Sequence, residues 1–275
     1  MRQGFPLWTP IGNTGGSSKR RWREVETEVR FLKVPKLRNP VLIEGLGGAG
    51  HIGKLASEHL TNEMKAERFA DLYSPHFLHH VFVEKDGSVR LPRASFFWAR
   101  VNGKDLIIVS GDGQVTSPEG QYEMVEKILE VAERLGVKRI FALGGYPTGR
   151  QTEGKPKVVV IATDKELLKE GKGYVIPGER EIGPILGPTG LLLGLGRAKG
   201  IKGTCLLGET HGAFVDPRST QSVLEVLGEM LGIRIDTSVL EERAREVERM
   251  VNKLKMEFER REALEGEREE PWYIR

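Results

Sequence analysis

Glycines crowd one short stretch of this chain, Val41-Leu42-Ile43-Glu44-Gly45-Leu46-Gly47-Gly48-Ala49-Gly50-His51. Gly45-x-Gly47-x-x-Gly50 has the spacing with which a strand-to-helix turn holds the pyrophosphate of a dinucleotide. Glycine suits that chemistry because a backbone without Cβ can turn through conformations closed to other residues and approach a phosphate closely. The acidic residue expected on the ribose, about 20 residues further on, falls at Asp71. Its surroundings, Glu67-Arg68-Phe69-Ala70-Asp71-Leu72-Tyr73, lack the continuous Val/Ile run of a second buried strand. The simpler reading is a tight turn that lets a helix pack close on its sheet, with no ligand.

Other reactive residue types are scattered. Glu209-Thr210-His211 is the one compact acid/base pair, and Asp112 with Glu119 flanks a second rim. Loop hydrogen bonding and helix capping account for all four. The glycine loops at 45–50, 111–113, 144–149 and 208–212 can share one sheet edge and form a shallow, phosphate-tolerant cleft. Its candidate lining is Gly45, Gly47, Gly48, Gly50, Gly144, Gly145, Glu209 and His211. His79 and His80 point to opposite faces of an alternating strand, and no carboxylate is spaced to join them and His76 on a metal. Cys205 is the single cysteine, which excludes an internal disulfide and any multi-cysteine metal site. There is no Gly-x-Ser-x-Gly, His-Glu-x-x-His or phosphate-loop motif, so no catalytic residue, metal or cofactor is expected.

Those residues need a scaffold, and the apolar runs supply an α/β one. Val41–Glu44, Arg139–Leu143, Val158–Ala162 and Gly203–Gly208 read as buried strands. Val25 to Leu37 reads as an opening strand, and Phe77–Val83 as another before the turn Lys85-Asp86-Gly87-Ser88. Asn102-Gly103 marks a hairpin between Ser95–Val101 and Leu106–Val109. Ile52 to Met64 has helical spacing. Ser117-Pro118-Glu119 opens a helix whose stripe is Tyr122, Val125, Ile128, Leu129, Ala132 and Leu135. The strand–helix–strand order around it implies a parallel crossover. Thr189 is placed to cap a helix at Gly190, and Asp216-Pro217 begins one running to Leu231.

A capping box, Ser238-x-x-Glu241, launches the longest helix. Its seam, Leu240, Ala244, Val247, Val251, Leu254 and Phe258, is spaced like a coiled coil and needs either a groove on its own domain or a neighbouring subunit. The expected organisation is therefore a flexible N-terminal arm at 1–24, an α/β domain at 25–236, the long helix at 237–264 and a mobile tail at 265–275. The tail ends Trp272-Tyr273-Ile274-Arg275. Large aromatic residues on a loose end gain nothing for the fold, but they suit capture in a partner's pocket.

The chain has 275 residues and a net charge of +3, too small to argue for nucleic acid. No apolar run approaches the ~20 residues that span a bilayer, and Met1 to Arg21 lacks a signal-peptide core, so a cytoplasmic protein is expected. Abundant Lys, Arg and Glu beside few Gln, Asn and Cys point to a heat-adapted source.

In four blocks the sequence resembles the proteasome assembly chaperone family, specifically archaeal relatives of the second eukaryotic chaperone. The blocks are Pro40 to Gly50, Leu143-Gly144-Gly145-Tyr146, Gly190-Leu191-Leu192-Leu193-Gly194, and Leu206-Leu207-Gly208-Glu209-Thr210 followed by two helices. The resemblance spans about Asn39 to Met256. It implies a three-layer α/β/α sandwich with a mostly parallel sheet, like nucleoside phosphorylases, here with a long C-terminal helix added. It also implies no catalytic residues, a homo-oligomer (a ring among the possibilities), and binding to proteasome α-subunits or a related co-chaperone. Proteasome-binding proteins often end in hydrophobic-Tyr-any residue. Trp272-Tyr273-Ile274 is similar, but Arg275 displaces the terminal carboxylate by one residue, roughly 3.5 Å of chain. The rival expectation is an enzyme that binds a nucleotide or phosphorylated metabolite at Gly45–Gly50.

Overall fold

The computed structural model describes residues 26–113, 115, 117–150, 154–170, 183–247 and 249. Ten strands are described: β1 (Glu28–Phe31), β2 (Val41–Gly45), β3 (Glu67–Tyr73), β4 (Phe82–Val83), β5 (Val89–Arg90), β6 (Ala94–Val101), β7 (Lys104–Gly111), β8 (Arg139–Pro147), β9 (Val158–Ala162) and β10 (Lys202–Thr210). The α-helices are α1 (Ile52–Glu63), α2 (Pro118–Arg134), α3 (Pro188–Ala198) and α4 (Pro217–Leu231), followed by a helical turn region, α5, over 238–247. Eight strands form one sheet in the order β1-β3-β6-β7-β2-β8-β10-β9, and β4 with β5 forms a separate hairpin. β7, β2, β8 and β10 run parallel at the centre, while the flanking pairs are antiparallel.

Alternation along the central strands divides their side chains between two helical layers. Leu42, Val109 and Ile140 face α2 and α3, together with Met124, Ile128 and Leu192. Ile43, Ile108 and Phe141 face α1 and α4, together with Ile52, Leu60 and Leu227. The result is a three-layer α/β/α sandwich. Each of these fully buried side chains contributes roughly 1.5–3 kcal/mol relative to exposure, which makes the centre of the sheet the most resistant part of the molecule.

Local chemistry sets the element ends. The Asn102-Gly103 turn takes positive φ at both residues (49° and 77°), as a two-residue hairpin requires. Ser117 caps α2 by accepting the Gly120 N–H at 3.0 Å, and Gly232 ends α4 in the left-handed region while Ile233 N–H returns to the Gly228 carbonyl.

Several sequence expectations need correction. The opening strand is four residues long, because Leu32 and Lys33 both donate to the Phe69 carbonyl and Pro35 follows. Only Phe82–Val83 of the 77–83 run is strand, and Leu78, Val81 and Val83 are exposed. Tyr122 lies on the outer face of α2, where Met124 and Val131 fill the buried stripe instead. Thr189 does not cap α3; Gly187 holds that position, and Thr189 is buried. The capping box at Ser238 is replaced by Asp236, whose carboxylate accepts the Ser238 N–H at 3.0 Å.

Glu67–Tyr73 is a full strand. It is antiparallel and is separated from β2 by two strands, β6 and β7. Its charges are tolerated because Asp71 accepts the Ser95 hydroxyl at 2.7 Å and sits beside Arg93 and Arg68.

Leu240 is buried against α4 and the segment after it, Ala244 is buried and Val247 half-buried, so the start of the seam packs on its own domain. Val251, Leu254 and Phe258 lie outside the described residues, as do the 1–24 arm and Trp272, Tyr273, Ile274 and Arg275. Among the described residues, no helix is long and apolar enough to cross a membrane.

Candidate functional site

The carboxyl ends of the four parallel strands carry all four glycine loops. β2 runs into Gly45–Gly48, a short 3-10 turn at Ala49–His51 and then α1. Gly47, Gly48 and Gly50 all have positive φ (149°, 103° and 63°), and His51 is forced into the left-handed region at 53°. The turn is wedged between neighbours. A Cβ on Gly45 would fall inside the Gly53 carbonyl and 2.7 Å from Ser57 Cβ. One on Gly50 would lie 2.8 Å from Thr210 Oγ1, and one on Gly145 would overlap the Ala49 carbonyl. Gly144 faces Leu207 and Thr189, and Gly111 faces Leu46 and the Arg93–Ala94 backbone. The space that a bound phosphate would use beside Gly45, Gly50 and Gly145 is thus filled by the chain's own atoms. Gly48 has nothing within 4 Å of its missing Cβ.

Hydrogen bonds lock the turn. Ser57 Oγ on α1 lies 2.7 Å from the Gly45 carbonyl, to which it donates, and 2.9 Å from Ser110 Oγ on β7. Asp216 N–H donates to the Gly50 carbonyl at 2.9 Å, and its carboxylate accepts the Ser219 N–H at 2.9 Å as the cap of α4. One residue therefore joins the glycine turn to the last strand-to-helix connection. Asp216→Ala should lower stability by about 1 kcal/mol, which chemical denaturation would register as an earlier midpoint with unchanged slope.

Beneath the turn sits the least expected group. Glu44 lies near the carboxyl end of β2 with no exposed surface, laterally paired with Val109 on one side and Ala142 on the other, and Cys205 pairs with Ala142 beyond it. Oε1 accepts the Leu46 N–H at 2.9 Å, while Oε2 has no hydrogen-bond partner. Burial pushes its pKa up from 4.5 to about 7; the Leu46 N–H and the Thr189 hydroxyl oppose that shift without cancelling it. Burial, with the nearby Glu44 carboxyl adding to it, also drives the Cys205 thiol far above its ordinary value, so it is held as the inert thiol. A carboxyl that solvent does not reach can exchange protons with a substrate only if the turn opens.

The remaining candidates have structural partners. Glu209 is half-buried in β10, its N–H bound to the Lys157 carbonyl. His211 is exposed, with its ring 5.9 Å from that of Phe214. The two form no ion pair. Asp112 accepts from the Arg90 guanidinium at 2.9 Å and the Arg93 N–H at 3.0 Å. Burial raises its pKa, but these two donors more than offset it and hold the carboxylate below its ordinary value. Glu119 lies exposed in the first turn of α2. His76 bonds to the capping Ser117 through Nδ1 at 2.9 Å, whereas His79 and His80 are exposed. No group of three His, Cys, Asp or Glu among the described residues could hold a metal. Asp71, proposed for the ribose, belongs to a strand that does not adjoin β2, so the dinucleotide geometry is not assembled.

Ser57, Ser110, Thr189 and Asp216 were not singled out from the sequence as site residues, because each acts through a partner distant in the chain. Glu44 did carry a signal: one acid at the end of an apolar strand.

Comparison with known proteins places this architecture. A Methanocaldococcus jannaschii protein, MJ1210, is 38% identical over 222 residues, covering 81% of this chain and 85% of its own length. The crystal structure of Pyrococcus furiosus PbaB, an archaeal proteasome activator, matches with a TM-score of 0.80 at 37% identity, over 84% of this chain and 100% of that one. Pyrococcus furiosus PbaA, an archaeal homolog of proteasome-assembly chaperone, matches with a TM-score of 0.69 at 25% identity, over 90% and 99%. The PAC2 family matches residues 42–255, and this chain belongs to it.

Proposed function

We propose that this chain is a non-catalytic proteasome assembly chaperone that binds proteasome α-subunits or a related co-chaperone through its surface and its Trp272-Tyr273-Ile274 tail. The observation that carries the reading is the match to PbaB over that protein's whole length, at 37% identity and a TM-score of 0.80. PbaA, described as a homolog of a proteasome-assembly chaperone, supports the assembly role. The glycine turn supports a non-catalytic role, since the chain's own backbone and hydroxyls occupy the approaches to Gly45, Gly50 and Gly145. A homo-oligomer belongs to the same reading, with Val251, Leu254 and Phe258 as the part of the seam offered to a neighbouring subunit.

Aromatic anchors carry a large share of binding energy in small contacts, ~2 kcal/mol or more each. Deleting Pro271 to Arg275 should therefore weaken capture of recombinant α-subunits at least about 10-fold, with the thermal unfolding midpoint unchanged. Equal capture by both forms removes the tail from the mechanism. Parallel binding to separate α-subunits and to assembled particles distinguishes an assembly factor from an activator. The rival nucleotide-binding enzyme predicts stabilisation by a nucleoside, or a stabilisation by NAD or ATP that Gly48→Ala abolishes, and neither is expected.

A further inference from the structure

At the opposite edge of the sheet, where the parallel strands begin, a cavity of about 610 Å³ opens between the sheet and the end of α4. Arg38, Lys104, Lys138, Arg139 and Lys202 line it, and the lining holds one carboxylate, Glu170. The register explains the gathering. Val41, Arg139 and Lys202 are lateral partners on β2, β8 and β10, so the Arg139 and Lys202 side chains leave the same face of the sheet side by side. Lys104 opens β7 and donates to the Leu231 carbonyl at the end of α4, a favourable place for a cation. Lys138 and Lys202 form no ion pair among the described residues.

Arg139 is the built part of this cavity. Its side chain is 16% exposed, its guanidinium stacks over the Phe141 ring at 4.8 Å, and Nη2 alone is engaged, with Glu170 at 2.6 Å and Thr204 Oγ1 at 3.0 Å. Nε and Nη1 have no acceptor among the described residues. Burial depresses the Arg139 pKa, and the charges of Glu170 and Asp164 only partly restore it. Like charges around one concave wall repel, and the wall focuses their field outward. An anion with several oxygens and more than one charge suits such a wall, taking single hydrogen bonds from Nε and Nη1 on either side of the engaged Nη2 and reached by flexible ammonium groups.

We propose that this cavity binds a small phosphate-bearing anion, with Arg139 as the anchoring donor and Lys138 and Lys202 as charge partners. The volume suits a compact ligand, within the ~300–1,000 Å³ of small-molecule pockets. The site lies at the other end of the strands from the glycine loops, so its test is independent of how those loops are read.

The experiment uses the full chain and inorganic pyrophosphate at constant ionic strength, with chloride as the reference salt. Pyrophosphate should raise the unfolding midpoint by a few degrees at about 100-fold excess over Kd, and calorimetry should give one site per chain. Lys138→Glu with Lys202→Glu removes exposed groups, so this variant should fold normally and lose affinity at least about 10-fold. An equal charge change elsewhere, Lys85→Glu with Lys127→Glu, should leave binding intact. No shift with pyrophosphate, or equal losses in both double variants, would overturn the proposal. So would an RNA oligonucleotide that binds more tightly than pyrophosphate with the same losses, because the cavity would then be part of a nucleic-acid surface.

Discussion

Replacing Glu44 by Gln should flatten the pH dependence of stability between about pH 5 and about pH 8, by roughly 2–3 kcal/mol relative to the wild type. The folded pKa is about 7 against 4.5 for the ordinary carboxyl. Between those values the native chain holds a proton that the unfolded chain has released. Stability from this group is therefore full below 4.5, falls as pH rises, and is lost once pH passes 7. The cost at alkaline pH is physical: a carboxylate buried beneath the turn, with Oε2 unpartnered among the described residues, has little beyond the Leu46 N–H to replace its hydration. Denaturant unfolding of both proteins at the two pH values isolates the effect, since every other titrating group is shared. A wild-type slope that survives in Glu44→Gln would mean that the carboxyl is ionised in the fold and partnered through a rearrangement. It would also mean that the turn is looser than its packing indicates.

The parts of this fold legible in sequence are those where neighbouring residues carry the whole cause. Val41–Glu44 and Val158–Ala162 announce buried strands because both faces are covered. The Ser117-Pro118-Glu119 start of α2 and the Asn102-Gly103 hairpin depend only on adjacent backbone. What escaped depends on partners far along the chain. β3 hides behind Asp71 and Arg68, charges made acceptable by Ser95 and Arg93 on the next strand and its approach. The 77–83 run alternates like a strand, yet it points Leu78, Val81 and Val83 outward, since no sheet edge receives it. At the glycine turn the close packing of a helix on the sheet was legible, but the neighbours that fill the turn were not. Gly50 is explained by Thr210, and Gly145 by Ala49, across loops about a hundred residues or more apart.

The second large effect separates packing from ligand binding at that same turn. Gly45→Ala should lower stability by about 3 kcal/mol or more, because the new methyl meets the Gly53 carbonyl and Ser57 Cβ, backbone and a hydroxyl-locked side chain that cannot rotate away. Gly48→Ala meets no atom within 4 Å, and its cost is the strain of φ 103°, about 1–3 kcal/mol. Thermal unfolding of the two variants should therefore place Gly45→Ala lower by several degrees. A phosphate-cradling turn would behave differently: Gly48, the open position, would be the one whose methyl blocks a ligand, and its variant would lose a nucleotide-induced shift while keeping its fold. Close approach of α1 to the sheet needs Gly45 far more than Gly48. If Gly45→Ala folds with wild-type stability, or Gly48→Ala is the more damaged of the two, the turn is not held by its contacts with α1 and β8. The case for a purely structural turn would then fail.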